Sequence, residues 1–221
     1  MTDFEQARRH MVDSQIKTMG IIDQRILDSF ENTPREIFVS EALQNVSCID
    51  GDLEYADGRF LLEPCVHARL LEAAQIRDTD LVLDIGCGSG YSSAILSQLG
   101  STIIATESNQ KLLSAAQKNW KTLGLCDIIP LETSLKDGAE RHAPYDVIII
   151  NGAVEEIPDS LLQNQLNTKG RLVAITKEEN SIMGTACLIE KNNNGALSSI
   201  ELFEAGTKTL HDFDKKLEFV F

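Results

Sequence analysis

No Lys/Arg run longer than a doublet occurs in the 221 residues, and the formal net charge is −14. A surface of that sign repels phosphate, so DNA or RNA is not expected as a partner. The Lys215-Lys216 doublet reads as a solvated turn. No apolar run approaches the roughly 18 residues of a membrane span. The N-terminal stretch "MTDFEQARRHMVDSQ" has no apolar h-region, so neither a membrane nor a secretory route is expected and the cytoplasm is the expected compartment. Cys-x-x-Cys pairs are lacking too. The five cysteines stand apart at 48, 65, 87, 126 and 187, which suits a reducing compartment and speaks against a disulfide framework or zinc site. The histidines at 10, 67, 142 and 211 are equally dispersed, so no metal is expected. Internal repeats, low-complexity tracts and any signature of an oligomeric state are absent as well. What remains is a chain of ordinary globular composition, 43% hydrophobic, long enough for one large domain.

The first third reads helical. Thr2 or Asp3 can cap a helix whose apolar side is Phe4, Ala7 and Met11. Asp23 can cap a second with Ile26, Leu27 and Phe30 on one face, stopped by Pro34, and a third short helix fits "REIFVSEALQ". "DGDLEYADGRFLLEP" reads as turn-rich and irregular. "PCVHARLLEAAQI" returns to helical spacing, with Pro64 suited to the first turn and Val66, Leu70, Leu71 and Ala74 inward. From residue 80, strands at 81–85, 102–106, 128–131, 147–150 and 172–176 alternate with helices at 91–99, 110–123 and 159–166. This alternation predicts an α/β, Rossmann-like, doubly wound, mostly parallel sheet. "TACLIEKNNNGALSSIELFEA" predicts two antiparallel strands at its edge, and "LEFVF" a last strand. The expected division is a helical N-terminal cap and substrate segment over 1–78 and a cofactor-binding core over 79–221 within one domain.

"LVLDIGCGSGYSSAIL" joins the first strand to its helix. In such sheets ligands bind beyond the carboxyl ends of the strands, near the switch point. Glycines there let a ligand approach the backbone, and the helix start offers free N–H groups. A P-loop requires Gly-Lys-Ser/Thr, which is absent, and a dinucleotide fingerprint is G-x-G-x-x-G. Here Gly86, Gly88 and Gly90 follow G-x-G-x-G, two residues after Asp84. The arrangement resembles the S-adenosylmethionine loop of class I methyltransferases. Asp84 suits the cofactor's ammonium, and the backbone of Cys87 and Ser89 its carboxylate. Glu107, 17 residues after Gly90 at the end of the next strand, suits the ribose diol, or simply caps the following helix. Cys87 reads as a small loop residue and not a nucleophile.

The whole chain resembles the protein-L-isoaspartate O-methyltransferases. The matching pieces are "MVDSQI", "GIIDQRILDSF", "PREIFV", "LDIGCGSGY", "APYDVIII" and "IPDSLLQNQLNTKGRLV", in that order. The resemblance implies methyl transfer from S-adenosyl-L-methionine to the carboxyl of L-isoaspartyl (or D-aspartyl) residues in a damaged protein or peptide, a repair activity. Two departures from the family pattern stand out. Its Thr-Ile-Ser-Gln-Pro-like stretch, whose Ser contacts the reacting region, is "FLLEP" here, with Leu62 at the Ser position and Glu63 at the Gln position. Leu donates nothing, and an acid repels a carboxylate substrate; one lost donor to a carboxylate costs about 1.5–3 kcal/mol, roughly ten- to a hundred-fold in rate. The family's Gly-Asp-Gly after the third strand is "ETSLKDG", leaving Ser134 or Asp137 as its replacement. Asn151 contacts cofactor or substrate, or only starts the turn with Gly152; His67 and Arg59 are further substrate candidates, against plain roles in a helix and at the surface. Three functions stay open: isoaspartyl methyl transfer, transfer to another acceptor by the same build, and a non-catalytic cofactor-binding module.

Overall fold

The computed structural model describes residues 3–213 except Asp57 and Asn180. The strand expected at 217–221 lies outside the described residues. Seven strands form one sheet in the order β5-β4-β3-β6-β7-β8-β9. β3 (Leu81–Ile85), β4 (Thr102–Glu107), β5 (Ile128–Glu132), β6 (Tyr145–Val154) and β7 (Leu166–Thr176) run parallel; β8 (Gly184–Lys191) and β9 (Leu197–Ala205) are antiparallel. The chain winds outward from β3 through β4 to β5, then returns to start β6 on the other side of β3. That reversal opens a crevice at the carboxyl ends of β3 and β6. Val82, Leu83, Val147, Ile148, Ile149, Leu172 and Val173 are all buried, as continuous apolar runs covered on both faces must be.

The helices follow the sequence signals closely. Asp3 caps α1 (Phe4–Met11) and Asp23 caps α2 (Gln24–Asn32), each side chain accepting from a backbone N–H of the first turn. α3 (Pro64–Ala74) starts on Pro64, and α5 (Gln110–Leu123) runs from an Asn109 cap to Gly124. Others differ from expectation. The "REIFVSEALQ" segment forms two tight 3₁₀ turns, Arg35–Phe38 and Glu41–Val46, in place of one helix. α4 (Tyr91–Leu96) stops short of residue 99, because Gln98 and Leu99 bond back three residues and tighten the last turn. The helix expected at 159–166 shrinks to one wide turn, Leu161–Gln165, since Leu166 already pairs with Tyr145 as the start of β7.

The largest difference lies at residues 50–63. The segment read as irregular is a β-hairpin, β1 (Leu53–Ala56) with β2 (Arg59–Leu61), packed over the carboxyl end of the main sheet. Its register slips between Glu54 and Ala56, so the irregularity falls on Tyr55 and re-aims that side chain. From the other side, Ala153 bridges to Thr209, and Leu210 packs fully buried against Gly152. Hairpin and C-terminal segment thus meet above the crevice.

Gly90 shows how the crevice wall is packed. Its φ is +95°, and an added Cβ would lie 2.5 Å from Nε1 of Trp120 and 2.9 Å from Cβ of Ala116. This glycine serves the docking of α5 on the loop. Gly90→Ala combines left-handed strain with overpacking. It is expected to destabilise the fold by about 2–5 kcal/mol, read as a lowered urea midpoint at unchanged m-value.

Candidate functional site

The carboxyl ends of three strands bring Asp84, Glu107 and Asn151 together around the loop 86–90. The N–H groups of Gly86 and Cys87 both donate to the Thr106 carbonyl, at 2.9 and 3.0 Å, which staples the loop to β4. The Trp120 indole donates to the Gly90 carbonyl at 2.8 Å, and the Asn119 amide to the Ser89 carbonyl at 3.0 Å. Glu107 lies under the loop, fully buried, and accepts from the backbone N–H of Gly88, Ser108 and Asn109 at 3.0, 2.9 and 3.0 Å.

Arg59 completes the shell of Glu107. Its Nε donates to one carboxylate oxygen at 3.0 Å and its Nη2 to the other at 2.9 Å, a bidentate fork with side-chain exposures of 7% and 0%. The same guanidinium reaches Ser108 at 3.1 Å and Asp212 at 2.8 Å. Burial opposes its charge, but Glu107 and Asp212 outweigh that and hold the guanidinium pKa above its usual value. Beside it, the Tyr55 hydroxyl accepts the Ser89 N–H at 2.8 Å, and burial pushes its pKa up to about 12. That oxygen would be 1.9 Å from a Cβ on Gly88, so Gly88 is the position where the hairpin comes nearest the loop. Leu210 and Leu135 close over Gly86 at 3.4 and 3.5 Å from its missing Cβ.

The remaining expected residues fall into three groups. Asp84 is fully buried at the end of β3. Its carboxylate accepts from Ser92 at 2.7 Å and Ser93 at 2.5 Å on one oxygen and from Asn151 at 2.5 Å on the other. Burial raises its pKa, with those three donors pulling the other way. Leu62, His67, Cys87 and Asn151 line a cavity of about 20 Å³ together with Tyr55, Phe60 and Tyr91. Of its buried polar atoms, Nε2 of His67, Oδ1 of Asn151 and the Tyr91 hydroxyl have no hydrogen-bond partner. Burial raises the Cys87 thiol pKa well above its usual value. Glu63, Ser134 and Asp137 stand apart. Glu63 accepts the Cys65 thiol at 2.5 Å, while Ser134 and Asp137 are exposed on the turn after β5. Among the described residues, Asp50, Glu63 and Cys65 bring ligand-type atoms within 4.8 Å of one another. The Cys65 pKa is pushed up to about 12 by burial and by its hydrogen bond to Glu63.

The donor set suits a nucleoside cofactor in kind: a carboxylate at the right strand tip and backbone amides beside it. The cavity beside Cys87 and Asn151, about 20 Å³, is far smaller than the roughly 300–1,000 Å³ of small-molecule sites, and Glu107 does not line it. A larger groove of about 440 Å³, lined by Asp23, Arg25, Glu72 and Arg77, lies at the opposite, amino end of β3 and includes none of these residues. The residues missed from sequence are Tyr55, Ser108, Trp120, Leu210 and Asp212. Asp57-Gly58 is a two-residue hairpin signal that points to β1–β2, and hence to Tyr55 and Arg59 facing the loop. Leu210 and Asp212 carry no local signal at all.

His67 is 1% exposed and stacks edge-on with Phe30 and Tyr91 at 5.3 and 6.1 Å. Burial, then the nearby Arg35 charge, lower its pKa from 6.5 to about 3. The folded state therefore binds this proton less readily than the unfolded one. Its contribution to stability is whole above pH 6.5 and falls as the pH drops from there toward 3. The stability of wild type should decline by up to about 1.4 kcal/mol per pH unit more steeply than that of His67→Leu below 6.5, measured by urea unfolding at several pH values.

Residues 6–205 match the family model described as Protein-L-isoaspartate(D-aspartate) O-methyltransferase (PCMT). A protein-L-isoaspartate O-methyltransferase of Protochlamydia amoebophila is 41% identical over 74% of this chain and 77% of that protein. One from Methanoculleus marisnigri is 36% identical over 76% of each. Protein-L-isoaspartate O-methyltransferase 1 of Pelobacter propionicus is 32% identical over 89% of this chain and 92% of its own length. A solved structure of a protein-L-isoaspartate O-methyltransferase superposes with a TM-score of 0.80 at 26% identity, over 91% of this chain and 65% of that one. Fold, crevice and relatives agree: the chain belongs to the protein-L-isoaspartate(D-aspartate) O-methyltransferase family of protein-repair methyltransferases.

Proposed function

We propose that this chain binds S-adenosyl-L-methionine over the loop 86–90 and methylates the carboxyl of isoaspartyl residues in damaged proteins or peptides, in the cytoplasm. The observation that carries the reading is Glu107, a carboxylate at the tip of β4 tied to the glycine loop through the Gly88 N–H, in a chain of this family. Five free cysteines agree with a reducing compartment.

When bound, the cofactor supplies a methyl group on a sulfonium, so an ionised carboxylate needs no strong base to take it. The protein's part is to bind, orient and exclude water. Glu107 accepts the ribose hydroxyls. The Gly88 N–H donates to Glu107 and the Ser89 N–H to the Tyr55 hydroxyl beside it. Asp84 works through others: it fixes Asn151 by one oxygen and Ser92 and Ser93 by the other, so that the Asn151 carbonyl oxygen stays unpartnered on the cavity wall. Phe60 and Leu62 keep that wall dry.

One observation favours a second reading, transfer to a different acceptor. Leu62 is 4% exposed, and its neighbours Phe60 and Leu61 are equally buried, so the wall offers hydrocarbon where the family pattern has a hydroxyl. A neutral or apolar acceptor suits such a wall better than a carboxylate does.

Tritiated methyl incorporation into an isoaspartyl peptide, against the matched aspartyl peptide, tests the first reading; equal counts from the two would refute it. Leu62→Ser restores a donor. It is expected to raise kcat/KM for the isoaspartyl peptide by roughly ten- to a hundred-fold. A gain confined to Leu62→Ser, with wild type idle on that peptide and active on another acceptor, selects the second reading.

A further inference from the structure

The geometry of the hairpin conflicts with a ready cofactor site. Glu107 has about four lone-pair positions. One oxygen already accepts from Arg59 Nη2 and the Ser108 and Asn109 N–H groups, the other from Arg59 Nε and the Gly88 N–H. A ribose diol needs both oxygens. The amide of Ser89, which a cofactor tail would use, is spent on Tyr55. These contacts come from one hairpin, and they are reinforced by Asp212 and Leu210 of the C-terminal segment.

We infer that the β1–β2 hairpin is an internal competitor for the nucleoside site, with the Arg59 guanidinium standing in for the ribose diol on Glu107 and the Tyr55 hydroxyl standing on the Ser89 amide. The inference rests on the reading of Glu107 as the ribose acceptor. Its consequence is that cofactor entry and hairpin withdrawal are one event. Leu62 and Glu63 follow β2 directly, so withdrawal also re-forms the wall that meets the methyl acceptor. Arg59 is then released from Glu107 at the mouth of the crevice, and the chain switches between a sealed state and a loaded one. The affinity of the wild type is the intrinsic affinity divided down by the rarity of the open state.

The test uses the full chain and S-adenosylhomocysteine as an unreactive probe, titrated by calorimetry. The fluorescence of Trp120, the only tryptophan, gives a second readout, because its indole bonds to the Gly90 carbonyl of the loop. Arg59→Gln keeps a polar side chain but loses the fork, and Tyr55→Phe loses only the hydroxyl. Arg59→Gln is expected to bind at least tenfold more tightly than wild type and Tyr55→Phe at least threefold. Hydrogen exchange of the hairpin amides should quicken in both without ligand. Tyr55→Phe carries the test by itself should Arg59→Gln fail to fold. If wild type and variants bind with equal affinity, or the variants bind more weakly, the internal competitor is overturned while the cofactor reading stands. If no form binds at millimolar probe, both fall together.

Discussion

A buried arginine forked onto a buried glutamate holds the functional end of this molecule together. Neither Arg59 nor Glu107 is stable alone in that place: an unpaired charge at such depth costs several kcal/mol, and removing one partner of a buried pair typically costs 3–5 kcal/mol. The pair therefore dictates the position of the hairpin that carries Arg59, of the strand tip that carries Glu107 and, through the Gly88 N–H, of the glycine loop between them. Asp212 ties the C-terminal segment to the same guanidinium. Four parts of the chain far apart in sequence thus converge on one charged contact.

Around this contact the walls are of two kinds. On one side, Asp84 takes three donors, and the N–H groups of Gly86 and Cys87 are stapled to Thr106. On the other, the Asn151 carbonyl oxygen, the His67 Nε2 and the Tyr91 hydroxyl are buried without partners beside Phe60 and Leu62. A rigid, satisfied side and a dry, under-satisfied one are what a site needs if its ligand is to supply the missing hydrogen bonds. Arg35 braces the under-satisfied side. It donates to the carbonyls of Ser47 and Leu62 and stacks over the Tyr91 ring at 4.6 Å.

Much of the chain was legible in one dimension. The strand β3 and helix α5 end where their apolar runs, caps and glycines say they should, because a parallel strand buried on both faces and an amphipathic helix with an Asn cap and a Gly stop are local patterns. The glycine loop and Glu107 were legible for the same reason, being set by strand ends. The hairpin was readable only from Asp57-Gly58, a signal surrounded by polar residues that suggest irregular chain. The shortened turn at Leu161–Gln165 had no local cause; it follows from pairing of Leu166 with Tyr145, a contact 21 residues apart.

The amino-acid sequence alone determined the doubly wound sheet, the place of the loop and the identity of the carboxylates at its strand tips, since each depends on periodicity and spacing within a few residues. Only the tertiary structure decided which of those groups are free to act. Asp84 meets Asn151 across 67 positions, Glu107 meets Arg59 across 48, and Arg59 meets Asp212 across 153. A carboxylate's availability is set by the donors that fold onto it, and no spacing rule within one strand or one loop records a partner delivered from the far end of the chain.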